Sequence, residues 1–147
     1  IQPDFIRVHA TGIKLESKLG EFVRDGSFTL QSEEEIVIEQ KLFLQQLHEM
    51  DSYYVNEHIV NLLLEVRGNL RTEKQEMLST IDRFLTLPPD ERLLFTVGRR
   101  LNIFFRLDDL KKPKLHQKAG ESLQQILSKN PHVDFAALCN YVRQSQI

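Results

Sequence analysis

Apolar residues recur three and four positions apart in one segment after another of this 147-residue chain, and most of those segments end at a glycine, a proline or a cap. That spacing gathers the apolar side chains on one side of a helix, so each segment has to find another to pack against. Leu15, Leu19, Phe22 and Val23 make a short first stripe, stopped by "RDG" at Gly26. "SEEE" at 32–35 is a capping box in which Ser32 and Glu35 satisfy each other's backbone N–H. It opens a helix over roughly 33–50 with Ile36, Phe43, Leu47 and Met50 along one side, and its three leading acids suit the positive end of the dipole. Tyr53 to Arg67 reads as the next helix, with Val55, Ile59, Leu62, Leu63 and Val66 as its stripe and Gly68 just past its end.

A second capping box, "TEKQ" at 72–75, opens a helix through Met77, Leu78, Ile81, Phe84 and Leu85, which Pro88 and Pro89 halt for want of an N–H. Pro89 serves equally as the first residue of a helix carrying Leu93, Leu94 and Val97. Two more follow, from about Pro113 to Lys129 and from Asp134 to about Arg143, separated by "NPHVD". Only the opening, "IQPDFIRVHATGIK", alternates as a short strand or extended arm does. The fold predicted is therefore all-α, a compact bundle of about six to seven helices arranged as helical hairpins. Helix starts near Glu33, Glu73 and Pro113 lie about 40 residues apart, so a short HEAT- or armadillo-like solenoid is the alternative. Residues 1–31 read as an extension with one short helix, and 32–147 as the helical domain.

With 41% hydrophobic and 27% charged residues, a chain of this length buries enough surface to fold without a disulfide or metal. Its single cysteine, Cys139, predicts a small buried hydrophobe and a reducing, intracellular setting, nuclear or cytoplasmic. No run approaches the roughly 18 apolar residues of a membrane span. The chain begins at Ile1 rather than methionine, which predicts excision from a longer protein. The five histidines are scattered, no Cys or His pair has ligand spacing, and no glycine pattern cradles a phosphate. The reading is accordingly non-enzymatic, with no cofactor and no metal.

A net charge of −2 gives no global pull toward nucleic acid. Locally, Arg99, Arg100, Arg106, Lys111, Lys112, Lys114 and Lys118 gather around Phe104 and Phe105, a pattern that a phosphate-contacting patch would show. Asp108 and Asp109 interrupt it. A helical RNA-binding domain, using Arg99, Arg100, Arg106 and Lys114, is thus one alternative function; a scaffold fragment mediating assembly or dimerisation is another.

The run "LLFTVGRRLNIFFRLDDL", 93–110, breaks its apolar pattern at Gly98, Arg99, Arg100 and Asn102. Thr96 can cap a turn there and Gly98 permits a bend or a close approach, which would turn Leu101, Phe104 and Phe105 inward and leave Arg99, Arg100 and Asn102 wet. Leu85-Thr86-Leu87-Pro88, Leu93-Leu94, Thr96-Val97-Gly98, Leu101-Asn102, Arg106, Asp108-Asp109 and Lys118-Ala119 with Leu123 follow one another across residues 78–127. In that order they resemble the N-terminal (LW or TND) domain of transcription elongation factor TFIIS. The Tyr53–Arg67 segment would supply the family's first helix, and Gln125 or Ile126 stands near the place of its usual tryptophan. The resemblance implies a nuclear module that docks short disordered peptides in a groove between loops, with a role in transcription elongation. Carried to this chain, the loops are 68–71 and 106–112. Leu70, Leu107 and Leu110 would be apolar contacts, and Arg71, Lys111 and Lys112 would attract an acidic peptide. The same three leucines could instead fold back as loop staples.

Overall fold

The computed structural model describes residues 3–48 and 50–145. Six α-helices dominate them: α1 (Lys18–Arg24), α2 (Glu33–Gln46), α3 (Lys74–Leu85), α4 (Pro89–Arg100), α5 (Pro113–Lys129) and α6 (Phe135–Gln144), with a 3-10 turn at Leu107–Lys111. A small sheet accompanies them, so the fold is mostly α rather than all-α. Its strands are β1 (Phe5–Arg7), β2 (Tyr53–Val55) and β3 (Gly68–Asn69), in the order β1-β2-β3. β1 runs parallel to β2 and pairs Ile6 with Tyr54, while β3 runs antiparallel and pairs Gly68 with Tyr54.

Several helix boundaries follow from local chemistry. Ser32 and Glu35 form the capping box at the start of α2, Pro89 opens α4, and Asp134 accepts the N–H groups of Ala136 and Ala137 at the start of α6. Gly26, at φ +79°, turns the chain after α1 in a conformation that a side chain would strain. The box expected at Thr72 does not form. The N–H groups of Arg71 and Thr72 are taken by the Asn69 side chain, and the Glu73 carboxylate accepts the N–H of Asn69 at 2.7 Å, so α3 starts at Lys74.

The predicted helix from Tyr53 to Arg67 is absent. Tyr53-Tyr54-Val55, aromatic and β-branched, forms the central strand, and residues 56–67 run as an irregular loop. Its apolar residues Leu62, Leu63 and Val66 are nonetheless core, and Gly68 lies in β3 rather than past a helix end. Such a loop can be buried only if its backbone groups find partners. Asn56 donates to the Leu63 carbonyl at 2.7 Å, and Asn61 donates to that of Val8 while accepting from the N–H of Ala10. The carbonyls of Ile59, Val60 and Asn61 receive guanidinium N–H groups of Arg99 and Arg100.

Those contacts invert the expected turn after α4. Arg99 and Arg100 are buried, whereas Leu101 and Phe105 are about half exposed. Phe104 does face inward: the backbone reverses at Asn102 (φ +56°), and the N–H groups of Ile103 and Phe104 return to the Gly98 carbonyl. Its ring stacks on Phe95, whose other neighbour is Phe84, and it lies directly over Gly98. Thr96 sits buried within α4 and caps nothing.

Residues 5–14 are built into the same unit rather than added to it. β1 is an edge of the sheet, and the backbone N–H and carbonyl of Ile13 both bind the Asn140 side chain on α6. The core itself gathers Val37, Leu44, Tyr54, Leu63, Leu70, Ile81, Phe95 and Phe104 from every part of the chain between α2 and the 3-10 turn.

The Gly98 contact can be tested directly. A Cβ there would overlap the Phe104 ring and stand 3.2 Å from Ala119 Cβ, so Gly98→Ala should lower stability by about 1–3 kcal/mol in urea denaturation. At Gly120, also helical, a Cβ meets nothing within 4 Å; Gly120→Ala should instead stabilise by up to about 1 kcal/mol.

Candidate functional site

Glu33 is the first residue of α2 and is buried. Its carboxylate takes Arg100 in a two-pronged pair, Nε to Oε1 at 3.0 Å and Nη2 to Oε2 at 2.5 Å. Arg143 Nη1, from α6, donates to the same Oε1. Arg99 lies beside them, its Nη2 on the carbonyls of Ile59 and Asn61 and its Nε and Nη1 without acceptors. Burial, reinforced by the charge of Arg100, brings the Arg99 guanidinium down to about 10. Three buried guanidinium groups thus lie near one buried carboxylate, and two of them, Arg100 and Arg143, bond to it. Arg143 Nε is likewise buried without an acceptor.

The ion cluster sets the rotation of α2. Glu33, Val37, Gln40 and Leu44 fall on one stripe by helical spacing and face the core, where Gln40 donates to the buried Tyr54 hydroxyl. Phe43, predicted inward, is 42% exposed, and Ile38 and Leu42 point away from the core at 40% and 54%. Leu15, Leu19, Phe22 and Phe28, on α1 and the segments beside it, are also more than a third exposed. Leu19, Phe28 and Phe43 border a groove of about 450 Å³ between α1, the segments 8–13 and 28–31, and α2. This groove is mostly apolar and is the main candidate site.

Sequence reasoning placed its candidates elsewhere. Leu70 and Leu107 are core residues, and Leu110 is partly buried against the same core; none offers an exposed contact. They fold back as loop staples because the backbone N–H of Leu107 is held by Glu65 at 2.9 Å and that of Leu70 by the Ser52 carbonyl. Arg71, Lys111 and Lys112 are exposed, but Lys111 pairs with Asp108 and Lys112 with Asp109, whose other oxygen caps the N–H groups of Phe105 and Arg106. The loops do border one cleft, lined by Tyr53, Arg67, Glu73, Arg83, Phe105 and Asp108, yet it is mostly polar. Its arginines are partly spent on neighbours, Arg67 on Glu57 and Arg83 on Asp108. Of the proposed phosphate contacts, Arg99 and Arg100 are buried and only Arg106 and Lys114 remain at the surface. The groove was missed because Ile36 and Phe43, which line it, were assigned to the core stripe of α2; the buried pair Val37 and Leu44 beside them was the available signal.

Cys139 is a buried thiol pushed up to about 12, chiefly by burial and then by Glu33, which removes thiolate chemistry at neutral pH. His9, at the groove's edge, and His58, distant in sequence, lie with ring centroids 4.3 Å apart and planes tilted by 30°. Partial burial, with His58 and Arg7 adding repulsion, holds His9 below the ordinary value of 6.5. No group of three or more potential metal ligands occurs among the described residues.

Glu33→Gln should cost about 3–5 kcal/mol in urea denaturation, because it strands buried guanidinium charge. Glu57→Gln, which breaks the exposed pair with Arg67, should cost no more than about 1 kcal/mol. Equal losses would show that Glu33 is not a keystone. In a proton NMR titration His9 should titrate below 6.5, and His58→Gln should raise it. Since the folded state favours neutral His9, its contribution to stability is present above 6.5 and is lost as pH falls through the depressed folded value.

No protein-family model, curated protein or solved structure matches the chain.

Proposed function

We propose that this chain is a non-enzymatic interaction module that docks a partner protein segment across the apolar face of α1 and α2. The observation that carries this reading is that α2 is apolar on two sides. Val37 and Leu44 complete the core, while Ile36 and Phe43 turn to the groove that Leu19 and Phe28 border from the other side. A contiguous apolar surface of this kind, rather than singly scattered residues, is what interaction sites present. An amphipathic helix laying one face between α1 and α2 is the recognition mode that suits it. The helix pairs α2–α3 and α4–α5 pack as neighbours, which supports reading the scaffold as helical hairpins.

The resemblance of residues 78–127 to the TFIIS N-terminal domain supports a nuclear setting and a peptide partner from the elongation machinery. That resemblance now rests on the helices after residue 74, since 53–67 is strand and loop. It favours docking at the loop cleft, where Tyr53 and Phe105 are the exposed aromatics. RNA binding has less support, because the two central arginines of that patch are committed to Glu33 and to loop carbonyls. No helix of the described residues is long and apolar enough to cross a membrane.

A pull-down from nuclear extract separates the two docking surfaces. Phe22→Asp combined with Phe43→Asp should abolish capture of a partner that the unaltered chain retains, with circular dichroism unchanged. Phe105→Asp should leave capture intact. The reverse pattern would move the site to the loop cleft, and loss of self-association in the first variant would identify a second copy of the chain as the partner.

A further inference from the structure

One surface cluster has no structural partner to explain it. His9, just after β1, and His58, on the 56–67 loop, lie with ring centroids 4.3 Å apart. Arg7 ends β1 two residues before His9, and its charge reaches the His9 ring. Among the described residues no carboxylate bonds to any of the three. Glu57, next to His58, is taken by Arg67. Asp4 and Glu39 are exposed, and no acid is among the charges that shift His9. Arg143, the other cation bordering the groove, is buried and bonded to Glu33. The cluster works against itself in the free protein: partial burial, then repulsion from His58 and Arg7, holds His9 below 6.5. The Val60 N–H donates to His58 Nδ1 at 3.4 Å, which places the proton of the neutral ring on Nε2, where it is a donor. A divalent metal therefore does not suit the site, since His58 offers it no free lone pair and Arg7 repels it.

We propose that Arg7, His9 and His58 bind the phosphate group of a monoester, a dianion whose three acceptor oxygens meet donors from all three side chains. Its charge offsets the repulsion that the cluster carries when empty. A carboxylate brings one charge and two oxygens, so it is the weaker match, and an uncharged hydroxyl offsets nothing. Binding is coupled to protonation. The dianion favours the charged form of both rings, so the histidines take up protons as it binds, and affinity rises as pH falls from 7.5 towards 6.5. Below about 6 the monoester itself gains a proton and the advantage fades. His9 borders the groove, so the phosphate belongs either to a partner segment docked there or to a small metabolite. The site does not depend on the docking reading, because Arg7 and His58 lie outside the groove.

Proton NMR of the five histidines of the full chain, at constant ionic strength, tests the proposal. At pH 6.5 methyl phosphate should shift the His9 and His58 resonances as one saturable site, at least about tenfold tighter than acetate, while the exposed His132 does not move. In saturating sulfate, a dianion that does not itself titrate near neutrality, the pKa of His9 should rise above 6.5. Arg7→Gln and His58→Gln should each weaken methyl phosphate at least about fivefold, with circular dichroism unchanged. Equal shifts of His9 and His132, equal affinity for methyl phosphate and acetate, or binding untouched by both variants would show ionic screening only and overturn the site. An amphipathic phosphoserine peptide that binds tighter than methyl phosphate would place the group on a docked partner. Equal affinity would assign it to a free metabolite, and both results require the cluster. The Phe22→Asp, Phe43→Asp variant should bind methyl phosphate as the unaltered chain does, which keeps this outcome separate from that of the docking test.

Discussion

The carboxylate of Glu33 lies out of water between the guanidinium groups of Arg100 and Arg143, and so fastens the start of α2 to the last turns of α4 and α6. Desolvating such a group is expensive, and only a fully hydrogen-bonded arrangement offsets it. Once in place, it fixes a great deal around it. It holds α2 at the rotation that buries Val37 and Leu44. It brings the Arg100 Nη1 onto the carbonyl of Val60, beside Arg99 on those of Ile59 and Asn61. A buried loop at 56–67 is tolerable because those carbonyls are satisfied; without the two arginines the same stretch would have to hydrogen-bond to itself.

The rotation of α2 has a functional consequence. A helix with apolar residues around most of its circumference cannot bury them all against one core. With the Glu33 stripe facing inward, Ile36 and Phe43 are left to line the groove with Leu19, Phe28 and Leu30. The interaction surface is thus the remainder of a packing decision made by an ion pair. The imbalance of that ion pair matters as well. Around the one glutamate, Arg99 and Arg143 keep buried donors that no acceptor takes. Its apolar walls are why the groove rather than the polar loop cleft is the better candidate.

The loops tell the complementary story. Leu70, Leu107 and Leu110 looked like contacts because they sit beside basic residues in turns, a setting common to binding loops and to loop staples alike. What separates the two is long-range: Glu65 reaches the Leu107 N–H from 42 positions away, and the Leu70 N–H is tied to Ser52. These bonds draw both leucines into the core. The arginines of the run at 93–110 present the same problem in reverse. Arg99 and Arg100 read as solvated because isolated charge is rarely buried, and that rule yields only when acceptors arrive from distant segments.

By itself the sequence determined what local interactions determine. The serine–glutamate box before α2, the prolines before α4 and α5, the aspartate before α6 and the glycine after α1 each act within a turn or two of chain, and the corresponding boundaries lie where these residues put them. It also determined that Cys139 is buried, whereas of Leu101, Phe104 and Phe105, all expected inward, only Phe104 is. Tertiary structure decided the rest: that Tyr53–Val55 is a strand, because its partners at Phe5–Arg7 lie some 48 residues upstream; which side of α2 faces in; and that two arginines are buried. A helix closes its hydrogen bonds within four residues and so announces itself locally, whereas a strand, a buried loop and a buried charge are each stable only through groups supplied from elsewhere in the chain.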